Sequence, residues 1–279
     1  MKYIDQLNRK LEMPSVPKRI ISLVPSQTEL LYDLGLTEEV VGITKFCVHP
    51  EEWFRSKTRI GGTKKIDIEK IRALQPDLII GNKEENEKEQ IEMLMQEFPV
   101  WMSDIYTLKD SFDMIMRIGT ITGKAQEAAI LKLMIESEFR NLIAFVSNQK
   151  SNISQHTSHS SSLSVAYFIW KGPYMVAGSN TFIDDMLQLC GMKNVFSGTD
   201  FMRYPEISME TLKNADPQLI LLSSEPYPFK EKHIIDLKGI CPDATVRLVD
   251  GEMFSWYGSR LLEAPVYFRN LLQTLIENK

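Results

Sequence analysis

Four clusters of large flat side chains are the residues of this sequence best suited to chemistry. "FCVHPEEW" holds Phe46, His49 and Trp53, and "WKGPYM" holds Trp170, Tyr174 and Met175. "TDFMRYPEIS" holds Phe201, Arg203 and Tyr204, and "GEMFSWYGSR" holds Met253, Phe254, Trp256, Tyr257 and Arg260. Rings with a few polar tips suit stacking on a bulky, flat, partly apolar ligand, although core packing uses the same residue types. Phe46, Tyr204 and Trp256 are the expected stacking groups, with Arg203 or Arg260 meeting a carboxylate or phosphate on the ligand. Catalytic machinery is thin by comparison. No G-x-S-x-G elbow, Walker A loop, G-x-G-x-x-G turn or H-E-x-x-H helix occurs. "GGTKK" at 61–65 lacks the loop length and helix start of a phosphate cradle. Cys47 and His49 are two potential metal ligands, too few for a site. His156 and His159 sit in a Ser-rich stretch and read as solvated. No enzyme activity, cofactor or metal site is expected.

A second signal is repetition. "IEKIRALQPDLIIGNKEE" begins at Ile68 and "METLKNADPQLILLSSEP" at Met209. The offset is constant, since 210 − 69, 217 − 76 and 219 − 78 all equal 141. The repeat places Glu69 and Glu210 at equivalent positions early in two helices. There they serve either to compensate the helix dipole or as matched acidic knobs, one per half, for a partner with arginines.

These residues need elements to hold them. The apolar run Ile20–Val24 reads as a buried strand, and "SQTE" at Ser26–Glu29 fits an S-x-x-E capping box for a helix closed by Gly35. "EEVVGIT", "DLIIG" and "FPVWMSD" read as further strands separated by helices. From Lys124 to about Val146 a helix with no Gly or Pro carries Leu131, Ile135, Phe139, Leu142 and Val146 on one face. At 1.5 Å per residue it spans roughly 35 Å. "SNQKSNISQHTSHSSSLS" follows as an expected flexible surface loop. The alternation then restarts with "SVAYFIW", a helix capped by Asn180 or Thr181 and closed by Gly191, a short mixed "MKNVF", helix–Pro–strand at 207–223, "ATVRLVD", and a closing helix with Pro265 near its start. The expected fold class is α/β: two Rossmann-like lobes, 1–122 and 165–279, joined by one long rigid helix at 123–149, with a Ser-rich loop at 150–164. Ligands of open α/β sheets sit at strand carboxyl ends, so a ligand cleft is expected between the lobes. A stiff linker implies small lobe movement and affinity by preorganisation.

Composition sets outer bounds. The chain of 279 residues is 43% hydrophobic and 25% charged, ordinary for a globular protein, and its net charge of −5 argues against a nucleic-acid partner. No apolar run approaches a membrane span. The three cysteines, Cys47, Cys190 and Cys241, have no CxxC spacing and read as buried small hydrophobes. "MKYIDQLNRKLEMP" has no apolar h-region, so the expectation is a cytoplasmic protein or one whose export signal is not part of this chain.

"PKRIISLVPSQTELLYDLGL", "IGGTKKIDIEKIRALQPDLII" and "AGSNTFIDDMLQLCGMKNVF…YPEISMETLKNADPQLILL" resemble the cobalamin- and iron-chelate-binding proteins of ABC importers, most closely the vitamin B12-binding subfamily. The resemblance runs from about Asp5 to Leu275. It implies a monomeric receptor on the outer face of the cytoplasmic membrane or in the periplasm, delivering a metal chelate to an ABC permease. It further implies that Glu69 and Glu210 dock on permease arginines, and that Ser26, Phe46, His49, Thr63, Met175, Tyr204 and the Met253–Tyr257 stretch line the ligand site. Thr63 and Tyr204 stand where the B12 binders have tryptophan. The resemblance makes cobalamin the first expectation, and these two departures keep a ferric siderophore or haem as the next. The rival expectation is a leaderless cytoplasmic α/β enzyme or metal-cofactor-handling protein that keeps the receptor's shape.

Overall fold

A computed structural model describes residues 1–154, 162–198 and 202–277. The expected flexible loop, with His156 and His159, and the candidate Phe201 lie at least partly outside the described residues. The chain divides into two compact units. Unit 1 is Met1–Ile105, Lys109–Glu136 and Trp256–Leu262; unit 2 is Tyr106–Leu108, Ser137–Ser255 and Glu263–Lys279. The sequence-based bounds placed Trp256–Leu262 with the second lobe. Its contacts group it instead with unit 1, where Ser111 Oγ donates to the Tyr257 carbonyl at 2.6 Å.

Unit 1 starts with a hairpin, β1 (Lys2–Ile4) and β2 (Lys10–Glu12). β3 (Ile20–Ser22), α1 (Pro25–Asp33), β4 (Val40–Ile43), α2 (Glu51–Ser56), β5 (Thr58–Arg59), α3 (Ile68–Leu74), β6 (Leu78–Asn82), α4 (Lys88–Met95), β7 (Val100–Ser103) and α5 (Leu108–Ile121) follow. The sheet is parallel, in the order β5-β4-β3-β6-β7. Every residue of β3, β6 and β7 is buried, which is why these strands read as unbroken apolar runs rather than as alternations.

α6 (Ala125–Ser154) is longer than the sequence pattern marked: it continues through residues 147–154, polar except for Ile153, where the apolar periodicity that flagged it has stopped. Its expected face holds, with Ile135, Phe139 and Leu142 buried. Unit 2 then builds β8 (Ser164–Trp170), β9 (Met175–Val176), α7 (Phe182–Leu189), β10 (Lys193–Asn194), α8 (Met209–Ala215), β11 (Leu219–Ser223), α9 (Glu231–Ile240), β12 (Thr245–Val249), α10 (Gly251–Ser255) and α11 (Ala264–Glu277). Its strands run parallel in the order β10-β8-β11-β12, with β9 folded back antiparallel on β8. The core gathers Phe168, Phe196, Leu212, Ile220, Leu222 and Leu237.

The repeat is structural residue by residue. The side chains of Asp67 and Ser208 cap α3 and α8, accepting from the Lys70 and Thr211 amides. Gln75 and Asp216 end them in the left-handed region at φ 46° and 44°. A proline follows each, and β6 and β11 start at Leu78 and Leu219. Gly35 and Gly191 close α1 and α7 in one shared way. Each takes φ near the left-handed region, its amide bonds the carbonyl three residues back, and the next amide bonds the carbonyl five back. α7 is capped by Thr181, as one of the two expected residues. The expected capping box on α1 does not form. Pro25 occupies the first turn and Val24 is the N-cap, which leaves Ser26 inside the helix and Glu29 committed elsewhere.

A Cβ on Gly258 would lie 2.4 Å from the Ser26 carbonyl oxygen, whereas one on Gly239, exposed in α9, meets nothing within 4 Å. Urea unfolding should show Gly258→Ala destabilised by about 1–3 kcal/mol and Gly239→Ala stabilised by about 0.5–1 kcal/mol. Equal responses would mean that the Trp256–Leu262 segment is not seated against α1.

Candidate functional site

In each sheet the chain leaves two adjacent strands in opposite directions, from β3 and β6 in unit 1 and from β8 and β11 in unit 2. Open α/β sheets bind ligands outside the carboxyl ends of strands at such a point. The four aromatic clusters all follow strands: β4, β8, β10 and β12.

In unit 1 the loop after β6 is pinned by a buried amide. The Asn82 carboxamide oxygen accepts from the Glu84 and Glu85 amides at 2.8 and 3.1 Å, while its NH₂ donates to Ser103 Oγ at 3.0 Å. Gln27 donates to the same hydroxyl at 2.5 Å. The pinned loop brings Glu85 to the Tyr257 hydroxyl, which donates to its carboxylate at 2.8 Å. Burial first, and the Glu85 charge next, hold that phenol well above its ordinary pKa, so it stays a donor. Trp256 stands edge-on to His49 with ring centres 5.6 Å apart, and the Arg260 guanidinium lies over the Trp256 ring at 5.0 Å. Arg260 also forks onto Glu29 at 3.1 and 2.5 Å, with side-chain exposures of 12% and 16%. Arg260 thus clamps α1 to the returning segment. Ser26 and Tyr257 are buried. Thr63 is half-buried, and its carbonyl accepts from Asn86 at 3.1 Å. Phe46 differs from all of these. It is 51% exposed, backed by Gly62 and by the Lys45 ammonium 5.0 Å from its ring centre.

In unit 2, Arg203 lies over the Tyr106 ring at 4.4 Å and near Tyr204 at 5.8 Å. The strip 203–207 is zipped to β9 and its neighbours: the Gly178 amide bonds the Arg203 carbonyl at 2.7 Å, and the Val176 amide bonds the Pro205 carbonyl at 3.1 Å. Met175 pairs with Glu206 across this strip. Tyr174 is half-buried and packs edge-on against Phe168. Trp170 is 39% exposed and packs edge-on against Tyr227. Met253 is half-buried in α10. Phe254 is fully buried against Tyr167 and Phe268, at 5.0 and 4.7 Å between ring centres, and has no surface for a ligand. Met253 beside it is only half-buried, while Trp256, just past α10, is buried too, in unit 1. Trp53 is likewise a core residue, packed on Tyr32. Sequence reading passed over Tyr106 and Tyr227, although Tyr227 follows β11 by the same strand-end rule that selected the others.

Glu69 sits on the second position of α3, exposed, with Arg72 at 2.6 Å, while Arg72 also forks onto Glu97. Glu210 occupies the matching position of α8, exposed and without an ion pair among the described residues. Among the described residues no group of three or more His, Cys, Asp or Glu is placed to hold a metal ion, and no helix is long and apolar enough to cross a membrane.

Residues 20–238 match the periplasmic binding protein family. The chain belongs to that family. A vitamin B12-binding protein of Pectobacterium carotovorum subsp. carotovorum (strain PC1) is 26% identical over 216 residues, covering 76% of this chain and 73% of the relative. The crystal structure of the periplasmic vitamin B12 binding protein BtuF of Vibrio cholerae shares the fold, with a TM-score of 0.75 at 22% identity over 94% of this chain and 98% of that one. A periplasmic heme binding protein from Pseudomonas aeruginosa shares it with a TM-score of 0.77 at 21% identity over 91% and 92%. In this periplasmic binding protein both units place aromatic side chains at the carboxyl ends of their sheets, and the repeat that carries Glu69 and Glu210 lies within the matched segment.

Two tests follow from the packing. Glu29→Gln, which leaves Arg260 half-partnered in a nearly closed site, should cost roughly 1–3 kcal/mol by urea unfolding; a cost near zero would show that the clamp is dispensable. All three thiols are buried. Burial pushes Cys47 up to about 11 from an ordinary 9.0, and raises Cys190 and Cys241 as well. Folded protein should resist iodoacetamide at pH 8 and react with it only when denatured. A group whose pKa is raised on folding contributes stability below its unfolded pKa and loses it as pH climbs through the folded one. The Cys47 contribution should therefore decline from about pH 9 to about pH 11. Cys47→Ser should flatten that part of the pH–stability curve.

Proposed function

We propose that the chain is the solute-binding receptor of an ABC-type importer. It captures a metal chelate, cobalamin first and haem or a ferric siderophore next, at the outer face of the cytoplasmic membrane and passes it as a monomer to a membrane permease. It acts by binding rather than by catalysis. One observation carries this reading: in each unit a large aromatic side chain stands open at the carboxyl end of the sheet, Phe46 at 51% and Trp170 at 39% exposure. Trp170 is held at the end of β8 by pairing with β9, and Phe46 by a turn in which the Cys47 amide bonds the Thr44 carbonyl. Family membership and the vitamin B12-binding relatives give the chelate its chemical class.

The binding step follows from this chain's own groups. Phe46 supplies an apolar face in unit 1, with His49 and Trp256 beside each other at the same sheet end. Tyr204 supplies a ring in unit 2, with Arg203 near it at 5.8 Å. The loops that carry these groups are fixed before binding, which lowers the ordering cost. Delivery uses the duplicated helices. Glu69 and Glu210 project from equivalent N-terminal turns, so a partner with two matched arginines would engage both. Exposed pairs contribute roughly 0–1 kcal/mol each, so docking needs a wider contact surface as well.

Titrating cyanocobalamin, hemin and a ferric hydroxamate while following tryptophan fluorescence tests the first step, with saturable quenching by at least one of them expected. Flat responses to all three would overturn the receptor reading. For delivery, Glu69→Ala combined with Glu210→Ala should abolish transport in cells while leaving ligand affinity within about twofold, since both are exposed carboxylates on α3 and α8, outside the four aromatic clusters. Lost affinity would place those carboxylates at the ligand instead.

A further inference from the structure

Four tryptophans occur in the chain, and three of them are packed away: Trp53, Trp101 and Trp256 are 2%, 1% and 5% exposed, against 39% for Trp170. Trp170 ends β8, and its ring meets Tyr227 edge-on at 5.7 Å and 70°. Tyr227 lies in the segment just after β11. The two rings therefore straddle β8 and β11, the strands from which unit 2's chain departs in opposite directions.

The underside of this pair is locked. Tyr227 packs against Phe229 at 4.8 Å and against His233 at 5.7 Å, and Phe229 packs against His233 at 5.3 Å. His233 is buried, with Nδ1 accepting from the Lys230 amide at 2.9 Å, so its neutral form carries the proton on Nε2. The Tyr227 amide reaches the Ile169 carbonyl at 3.4 Å, which ties its loop to the strand that ends in Trp170. The outer side is open. The Tyr227 hydroxyl has no hydrogen-bond partner among the described residues. The nearby Lys171 ammonium is already spent on Asp236 at 2.9 Å. The surface thus offers two aromatic rings with one phenolic donor at its rim.

We propose that Trp170 and Tyr227 form a ring-binding subsite, Trp170 giving the stacking face and the Tyr227 hydroxyl donating to an oxygen on the rim of the bound ring. This rests on the chelate-receptor reading and narrows it. A conjugated macrocycle bearing amide or carboxylate side arms has both a π-face and rim oxygens to offer, whereas a hydroxamate chelate has no π-face to stack. Tyr227 is then a specificity-determining residue that separates macrocyclic chelates from hydroxamates.

Equilibrium dialysis against cyanocobalamin, hemin and ferrioxamine B measures affinity. Hydroxyl-radical footprinting read by mass spectrometry measures the exposure of Trp170 and Tyr227 in the same complexes. One of the two macrocycles should bind in preference to ferrioxamine B and lower oxidation at Trp170 at least roughly threefold. Trp170→Leu should weaken it by roughly threefold to tenfold, the range set by loss of one stacking contact. Tyr227→Phe keeps the ring against Phe229 and should weaken it by roughly twofold to tenfold, with an unchanged melting temperature. A macrocycle that binds without protecting Trp170, or binding of ferrioxamine B alone, overturns the subsite and leaves the receptor reading standing. Binding of none of the three overturns both.

Discussion

Parallel pairing is the constraint on which the rest of this structure depends. Neighbouring parallel strands cannot be joined by a tight turn, so every connection between them must cross the sheet and return. In both units this sends each segment that follows a core strand out at the same end. The aromatic groups need no separate explanation for their convergence. Phe46 follows β4, Trp170 ends β8 and Tyr204 follows β10, and the topology alone assigns these to carboxyl ends, whereas Trp256 follows β12 in the chain but groups with unit 1. What distinguishes them is how they are held. Phe254 and Trp256 are two residues apart, yet the first is buried among Tyr167 and Phe268 while the second meets His49 and Arg260.

The duplicated unit shows how much geometry a few local rules can carry. An N-cap side chain fixes where the helix begins, a left-handed residue fixes where it ends, and the proline after that residue prevents continuation. Asp67 and Ser208 are different residues performing one task, as are Gln75 and Asp216. Because both ends are fixed, Glu69 and Glu210 fall at the same turn of equivalent helices. Their placement near a helix N-terminus also favours the charged carboxylate. Dipole compensation and docking are thus compatible readings of one arrangement. The units differ in surroundings: Glu69 begins with Arg72 beside it, whereas Glu210 has no ion pair among the described residues.

Much of the fold was legible because its signals are local. β6 and β11 read as unbroken apolar runs since they are buried on both faces, and the offset of 141 positions was visible in the letters alone. α2, α4 and α9 left weaker traces. Each buries only one or two residues, Trp53 in α2, Ile91 and Leu94 in α4, His233 and Leu237 in α9, so they carry no apolar stripe long enough to show a period. The capping box was a false signal: the letters S-x-x-E were present, but Pro25 had already started the helix one residue earlier. The site was legible only as residue types at strand ends. Which of them meets solvent depends on long-range partners such as Glu29 for Arg260 and Glu85 for Tyr257, which lie 231 and 172 positions away. No pattern in the sequence marks those pairings.

Those long-range partners explain how unit 1 keeps rings in place without packing them all into its core. A ring on an unsupported loop would lose ordering entropy on binding. Here Asn82 fixes the loop after β6, that loop presents Glu85, Glu85 holds Tyr257, and Tyr257 lies beside Trp256 in a segment that Arg260 clamps to α1. Each link is a hydrogen bond or ion pair between buried or nearly buried groups, where a lost partner is costly and alternative geometries are few. Unit 2 reaches a similar result by another route. It zips the Arg203–Tyr204 strip to β9 through backbone bonds and supports Trp170 on stacked aromatic rings. Under the proposed receptor role, rigid support at both sheet ends leaves ligand choice to the groups that remain open, Phe46 and Trp170 foremost, so substitutions there should redirect selectivity without disturbing either core.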